Sequence, residues 1–185
     1  QEAGMGGGSM NAASLINFFF KKGLLKLNKN ELIKLTGHIG SDVILGIKPT
    51  NAILTSKGKI LKYDKSIKLY TLVVKPDFGC STKQVYSKVK LFSKSKFNIP
   101  KQEMFEAKYL KTLNNDLEKI VFKQYPKLKK IKSFLLTMPN NIFVRMSGSG
   151  SAIVAYFHSK RTCGNAYSQF KRKFNSHWCI TSKTI

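Results

Sequence analysis

Gly4-Met5-Gly6-Gly7-Gly8-Ser9-Met10-Asn11-Ala12-Ala13 runs straight into Ser14-Leu15-Ile16, and everything downstream takes its meaning from this stretch. Four glycines in five positions leave a backbone that can adopt positive φ and approach a ligand closely, since no Cβ intervenes. This predicts a loop. Ser9 and Asn11 are residue types that cap a helix N-terminus, and Ala12, Ala13, Leu15 and Ile16 suit the helix itself, so the loop opens onto the positive end of a helix dipole. Unpaired N–H groups leading into a helix N-terminus make a seat for phosphate. A flexible lead is the plainer alternative; the helical periodicity of Asn-Ala-Ala-Ser-Leu-Ile counts against it. No Gly-Lys-Ser/Thr follows, which excludes a Walker loop, and no strand and acidic partner frame a dinucleotide fingerprint.

Outward from there, Ala12 to Phe20 reads as a helix closed by Gly23. Asn28 to Thr36 repeats the pattern, with Asn28 or Asn30 as cap, Leu32, Ile33 and Leu35 on one apolar face, and Gly37 as the stop. His38 falls in a last turn, where imidazolium suits the dipole. The run His38-Ile39-Gly40-Ser41-Asp42-Val43-Ile44-Leu45-Gly46 then sets one carboxylate between a Gly-Ser turn and an apolar strand-like run. Asp42 is the only acid between Glu31 and Asp64. It can be a cap or turn residue. Beside a phosphate seat it can instead take the proton of an acceptor hydroxyl, as phosphoryl transfer requires.

Alternation across Asn51 to Tyr63 around Lys57-Gly58-Lys59 predicts two short strands. Leu69 to Val74 predicts a buried strand, stopped by Lys75-Pro76-Asp77-Phe78-Gly79. Ser81 or Thr82 can cap a helix over Lys83 to Leu91, and Thr82 and Tyr86, at i and i+4, share a face. A polar connection over Lys88 to Gln102 leads to a helix over Glu103 to Leu113. Asn114-Asn115-Asp116-Leu117-Glu118 caps the next one. Pro126 opens another, running to about Met138 with Leu128, Ile131, Leu135 and Leu136 inward. Two apolar strands then flank Ser147-Gly148-Ser149-Gly150-Ser151. This is not the Asn-Gly or Asp-Gly of a tight hairpin; it is either a flexible turn or a second anion-contacting loop. A helix over Ser159 to Phe174 and a strand over Trp178 to Ser182 close the chain.

Lys and Arg number 33 against 9 Asp and Glu, for a net charge of +24, so nonspecific polyanion binding is expected at low salt. The lysines are dispersed from Lys21 to Lys183, and arginine occurs only at Arg145, Arg161 and Arg172. A nucleic-acid reader concentrates its cations and uses Arg forks. No specific nucleic-acid partner is therefore expected, although a lysine-rich RNA-binding domain is the rival from a different class. Dispersed lysine with abundant Asn, Ile and Phe fits the codon bias of an AT-rich genome. Cys80, Cys163 and Cys179 have no metal-ligand spacing, and their odd number argues against a complete disulfide framework and for a reducing cytosol. No apolar run approaches the ~20 residues that span a bilayer. A chain of 185 residues can bury a core. It starts at Gln1 inside what reads as a functional loop, so an absent N-terminal part of roughly half a domain is expected, since a strand normally precedes a phosphate loop.

Four stretches, in order, resemble the GHMP kinase superfamily. They are Gly4 to Ala13; Gly40-Ser41-Asp42-Val43; Val74-Lys75-Pro76-Asp77-Phe78-Gly79-Cys80-Ser81-Thr82-Lys83-Gln84-Val85-Tyr86; and Met146 to Ser151 with its following strand. The triple glycine with Asn11-Ala12-Ala13 is most similar to the branch acting on cytidine-diphosphate-linked methylerythritol in the non-mevalonate isoprenoid route. Gly-Ser-Asp-Val and Pro-Asp-Phe-Gly-Cys-Ser-Thr argue against the branches for homoserine, mevalonate or sugars. The resemblance implies an α/β fold (two-layer α+β). Residues 1–65 would be the later part of an ATP-binding N-terminal domain, and residues 66–185 a ferredoxin-like C-terminal domain.

It further implies ATP with Mg²⁺, and a small-molecule substrate carrying cytidine diphosphate. Gly4, Gly6, Gly7, Gly8, Ser9, Asn11 and Ala12 would cradle the ATP phosphates, and Asp42 would be the catalytic base. Thr82 and Tyr86 would line the substrate pocket. Ser147, Gly148, Ser149, Gly150 and Ser151 would form the third-motif loop, which packs against the phosphate loop. Met10 stands where the family usually has a second serine, so metal ligands are left unassigned. The implied location is a bacterial cytoplasm or a plastid-type organelle. A lysine paired with the catalytic Asp, and the cytidine contacts, lie in the family on a preceding segment, so this chain alone is expected to be weak or inactive.

Overall fold

The computed structural model describes residues 3–54, 60–63, 67–93 and 101–184; the expected turn at Lys57-Gly58-Lys59 and residues 94–100 of the polar connection lie outside them. The chain divides into two compact units, Gly6–Ser66 and Ile67–Thr184, with Gln1–Met5 joining the latter.

In the Gly6–Ser66 unit, helix starts earlier than glycine's poor propensity suggests. Helix α1 spans Gly7–Lys21, and its N-cap is Gly6, in a left-handed conformation (φ 64°, ψ 23°) with no side-chain cap. Ser9 and Asn11, expected as caps, lie inside the helix instead. The left-handed turn that launches α1 falls on Gly6, the residue type that adopts it without steric cost. Helix α2, Lys29–Ile39, opens with a full capping box. Asn28 Oδ1 accepts from the Asn30 and Glu31 N–H groups at 2.9 and 3.0 Å, and Glu31 Oε2 accepts from the Asn28 N–H at 2.8 Å. Gly37 does not end it: the helix runs on to Ile39, and the Gly40 N–H closes on the Thr36 carbonyl at 2.9 Å. Buried Thr36 holds the turn there, with its hydroxyl donating to the Leu32 carbonyl at 2.8 Å.

The run after Asp42 is not a strand: Val43–Ile47 forms helix α3, which lies directly against α1 and buries Val43 there. A Cβ on Gly46 would fall 2.7 Å from the Ala13 Cβ and 3.0 Å from Met10 Sδ, so only glycine allows this approach. The Asn17 side-chain amide donates to the Ile47 carbonyl at 3.0 Å. Ala13, Ile16 and Val43 are buried at the centre, with Leu25, Leu32 and Leu35 around them. Strands β1 (Asn51–Leu54) and β2 (Ile60–Tyr63) pair antiparallel, with Asn51 opposite Tyr63.

The Ile67–Thr184 unit contains β3 (Tyr70–Lys75), α4 (Thr82–Ser87), a 3-10 turn at Gln102–Phe105, α5 (Ala107–Thr112), α6 (Leu117–Gln124) and α7 (Pro126–Leu136). Then come β4 (Asn141–Met146), β5 (Ile153–Phe157), α8 (Lys160–Lys173) and β6 (Trp178–Lys183). The strands form one antiparallel sheet in the order β4-β5-β3-β6, with Leu72 of β3 opposite Ala155 on one side and Thr181 on the other. Strand, helices, two strands, helix and strand in this order make the ferredoxin-like arrangement expected. Leu72, Val74, Ile153, Ala155 and Phe157 are buried in one cluster with Leu128, Ile131 and Leu135 of α7 and Cys163, Ala166 and Phe170 of α8. A fully buried side chain of this kind is worth about 1.5–3 kcal/mol over an exposed one.

Three local expectations need correction. Leu136 is half-exposed rather than inward, because it lies one residue, about 100° of helix, off the 128-131-135 stripe. The stretch 103–113 is not one helix: Met104 and Phe105 are both buried, and the backbone turns extended at Glu106 (ψ 146°) before α5. Helix α4 stops at Ser87 rather than Leu91. All three cysteines are buried, and burial pushes the Cys163 and Cys179 thiols above their ordinary pKa.

The α1–α3 approach is testable. Gly46→Ala should destabilise the Gly6–Ser66 unit by about 1–3 kcal/mol, the usual cost of overpacking, read as a lower unfolding midpoint in urea. An unchanged midpoint would show that α1 and α3 have room for a methyl group between them.

Candidate functional site

The residues singled out in the sequence fall into two groups, one in each unit. In the Gly6–Ser66 unit, Gly7, Gly8 and Ser9 form the first turn of α1, where N–H groups have no helical carbonyl to bond. No side chain caps them and no acid sits in that turn. A Cβ on Gly6, Gly7 or Gly8 would meet nothing within 4 Å. The positive end of α1 is therefore open to an anion. Asn11 and Ala12 lie in the second turn, where N–H groups bond helix carbonyls, so they have no backbone donors to offer. Ser9 Oγ lies 3.9 Å from where a Cβ on Gly40 would stand, which brings the Gly40–Asp42 turn beside the start of α1.

Asp42 precedes α3, and its carbonyl accepts from the Leu45 N–H at 3.1 Å, but its carboxylate caps none of that helix's N–H groups. Its carboxylate is exposed and accepts from Ser41 Oγ at 3.3 Å. His38 Nδ1 lies 2.7 Å from the Lys34 carbonyl, a helix-end contact. The Met10 thioether packs over Gly46 of α3; a hydroxyl at this position would have been a polar group in an apolar contact.

In the Ile67–Thr184 unit, Gly4 seats against the loop between β4 and β5. Gly4 has φ +65°, and a Cβ there would fall 2.2 Å from the Ser147 carbonyl oxygen and 2.8 Å from that of Gly150. Ser147 Oγ donates to the Gly4 carbonyl at 2.7 Å, and the Ala152 N–H donates to the Ala3 carbonyl at 3.1 Å. The remaining hydroxyls are also engaged: Ser149 Oγ with Thr82 Oγ1 at 2.8 Å, and Ser151 Oγ with the Phe78 carbonyl at 2.7 Å. The serines of Ser147–Ser151 thus fix the loop, and Ser149 and Ser151 are buried. Gly148 stays exposed. Ser81, not Thr82, caps α4, through its hydroxyl and the Gln84 N–H at 3.4 Å. The Tyr86 ring, one turn on from Thr82, is half-exposed.

Two residues read in the sequence as caps hold this loop as well. Asn115 Oδ1 does accept the Leu117 N–H at 3.0 Å, but its amide group donates to the Met146 and Gly148 carbonyls at 3.0 and 2.7 Å. Glu118 Oε1 accepts the Met146 N–H at 2.7 Å, while Oε2 pairs with Lys132 Nζ at 2.5 Å. Asp116 accepts from the Ser93 N–H and hydroxyl, both at 2.9 Å, which holds its carboxyl below the ordinary value. The signal was an acid and an amide together at the start of a helix, in a chain with few acids; local capping concealed the long-range partner.

Residues 94–176 match the family model described as GHMP kinases C terminal. Over all 185 residues the chain is 66% identical to a 4-diphosphocytidyl-2-C-methyl-D-erythritol kinase of Pelagibacter ubique (strain HTCC1062), covering 66% of that protein. It is 33% identical to one from Clostridium tetani (strain Massachusetts / E88), covering all of this chain and 67% of that one. Its fold matches a crystal structure of a 4-(cytidine 5'-diphospho)-2C-methyl-D-erythritol kinase with a TM-score of 0.78 at 23% identity, over the whole of this chain and 68% of the other. The chain thus spans about two thirds of the length of the relatives it matches.

Gly4→Ala tests the seating of the first residues. It should cost about 1–3 kcal/mol of stability and shift the amide resonances of Ser147, Gly150 and Ala152. Wild-type stability with unmoved resonances would mean that Gly4 does not touch the loop.

Proposed function

The chain belongs to the family of the 4-diphosphocytidyl-2-C-methyl-D-erythritol kinases, within the GHMP kinases, and from that premise we propose that the protein phosphorylates a hydroxyl on the methylerythritol part of a cytidine-diphosphate-linked substrate, with ATP as donor. This is a step in non-mevalonate isoprenoid synthesis. In this reading residues 1–65 are the later part of the ATP-binding domain and residues 66–185 are the GHMP C-terminal domain. Both substrates are charged and water-soluble, which supports a bacterial cytoplasmic setting.

The observation that carries the proposal is the uncapped, unobstructed first turn of α1, with the Gly40–Asp42 turn beside it in the same unit. The N–H groups of Gly7, Gly8 and Ser9 donate to phosphate oxygens of ATP, and the helix dipole adds to their hold. The Ser9 hydroxyl is a further donor there. Asp42, exposed and not used as a cap, takes the proton of the acceptor hydroxyl as the phosphoryl group arrives. Gly4 and Ser147–Ser151 act as a rigid support whose exposed Gly148 backbone can meet an anion, while Tyr86 offers the substrate a ring. Thr82 acts with it by fixing Ser149.

Mg²⁺ arriving with the nucleotide would neutralise charge in the transfer, and the Ser9 hydroxyl and Asp42 are the side chains that would help to hold it. The described residues hold no group of three or more His, Cys, Asp or Glu. A lone carboxylate with the Ser9 hydroxyl suits an ion held mainly by phosphates and water.

Steady-state kinetics on the full-length protein test this. Asp42→Asn should lower kcat by about 10²–10⁴-fold with KM for ATP nearly unchanged, because the side chain keeps its shape and loses only its basicity. A kcat within tenfold of wild type would remove Asp42 from the role of base, and absence of substrate-dependent turnover in the unaltered protein would remove the reaction itself.

A further inference from the structure

A cleft of about 370 Å³ lies along β4 in the Ile67–Thr184 unit, and its charged lining is Lys111, Lys132, Arg145 and Glu118. Strand β4 is at the edge of the sheet. We propose that this cleft binds the phosphate or diphosphate group of a small metabolite, and that its occupancy is felt at the Ser147–Ser151 loop through Lys132 and Glu118. The binding claim does not depend on the reaction proposed above.

Three cations against one carboxylate leave the cleft a net charge of +2. That alone would mean little in a chain of net charge +24, where lysines sit on every surface. Arg145 is what separates this place from the rest. It is one of three arginines, and it is partly buried. Its Nη2 donates to the Leu110 and Leu113 carbonyls at 2.7 and 2.5 Å, and its guanidinium lies 4.9 Å from the centre of the Phe143 ring. These contacts fix the fork without neutralising it. Among the described residues the ion pairs are Lys132–Glu118 and His177–Asp77, so no carboxylate pairs directly with Arg145. Burial pushes its pKa down, against the favourable charge of Glu118, as expected for a cation short of counter-charge. A planar, pre-oriented guanidinium flanked by two ammonium groups is the arrangement that recognises phosphate oxygens. A volume of about 370 Å³ admits a small organic phosphate, being within the ~300–1,000 Å³ range of small-molecule sites.

The link to the loop is short. Lys132 lines the cleft and pairs with Glu118 Oε2; Glu118 Oε1 holds the N–H of Met146, the residue just before Ser147. An anion in the cleft competes with Glu118 for Lys132. Glu118 then carries more of its charge onto the Met146 N–H, which tightens that bond at the root of the loop. By linkage, whatever shifts the loop changes affinity in the cleft by the same factor.

The test is a ¹H–¹⁵N titration of the full-length protein with inorganic pyrophosphate at ~150 mM salt, which screens scattered surface lysines. Saturable shifts of the Arg145 and Met146 amides are expected. Lys111→Gln, which removes an exposed charge with little risk to the fold, should weaken that binding about 3–10-fold. Lys132→Gln should weaken it and also abolish the Met146 response while the Arg145 shift persists. Arg145→Lys, which keeps the charge and loses the fork, should weaken binding more than Lys111→Gln does. Shifts confined to the first turn of α1, or shifts spread over many lysines without saturation, would overturn the proposal. A Met146 response that survives in Lys132→Gln would overturn the link to the loop.

Discussion

Two backbone segments far apart in sequence meet with no side chain between them, and the Ser147–Ser151 loop depends on that meeting. At Gly4 a methyl group would fall 2.2 Å from the Ser147 carbonyl oxygen, and at Gly148 one would fall 3.0 Å from the Gly4 carbonyl oxygen. Both residues have positive φ, so each glycine is required twice, by its conformation and by the space it leaves. The Ser147 hydroxyl and the Ala152 N–H then tie the segments together through the carbonyls of Gly4 and Ala3. Ala3 and Gly4 are thereby part of the Ile67–Thr184 unit.

A loop that serves as a support must itself be supported, and the sequence devotes most of its polar groups there to that task. Ser147, Ser149 and Ser151 each direct their hydroxyls inward. Asn115 and Glu118, at the start of α6, hold the Met146 N–H and the carbonyls of Met146 and Gly148 from the other side. Hydrogen bonds to charged groups are about twice as strong as neutral ones, so the Glu118 contact is the firmest of these anchors. In the proposed reaction, ligand chemistry falls to the backbone N–H groups at the start of α1, the Ser9 hydroxyl, Asp42 and Tyr86. No side chain caps those N–H groups, and among the described residues the Asp42 carboxylate takes only the Ser41 hydroxyl.

Where a signal is local, the sequence was enough. The Asn28 cap, with Asn30 as its alternative, the Pro126 start of α7 and the inward Leu128, Ile131 and Leu135 were legible in spacing, and the strands in alternation, while the ferredoxin-like arrangement came from the family resemblance. Where the deciding partner is distant, it was not. Gly7 and Gly8 read as loop because glycine disfavours helix, yet the first turn has no carbonyl partners to lose and tolerates them. Gly37 read as a stop, but buried Thr36 keeps α2 in register to Gly40. The Ser-Gly alternation read as either a flexible turn or an anion-contacting loop of N–H groups and hydroxyls; its hydroxyls bond residues that only folding brings near. Asn115 and Glu118 satisfied a capping pattern so fully that nothing in the sequence asked for a second role.

The account turns on the N–H groups of Gly7, Gly8 and Ser9 being the seat of the ATP phosphates. Amide hydrogen exchange of the full-length protein, with and without a non-hydrolysable ATP analogue and Mg²⁺, addresses them one by one. The account predicts that these amides, uncapped without ligand, become protected at least ~10-fold when nucleotide is bound, as donors engaged by phosphate should. Nucleotide binding that leaves Gly7–Ser9 exchanging freely, with protection elsewhere in the chain, would contradict it.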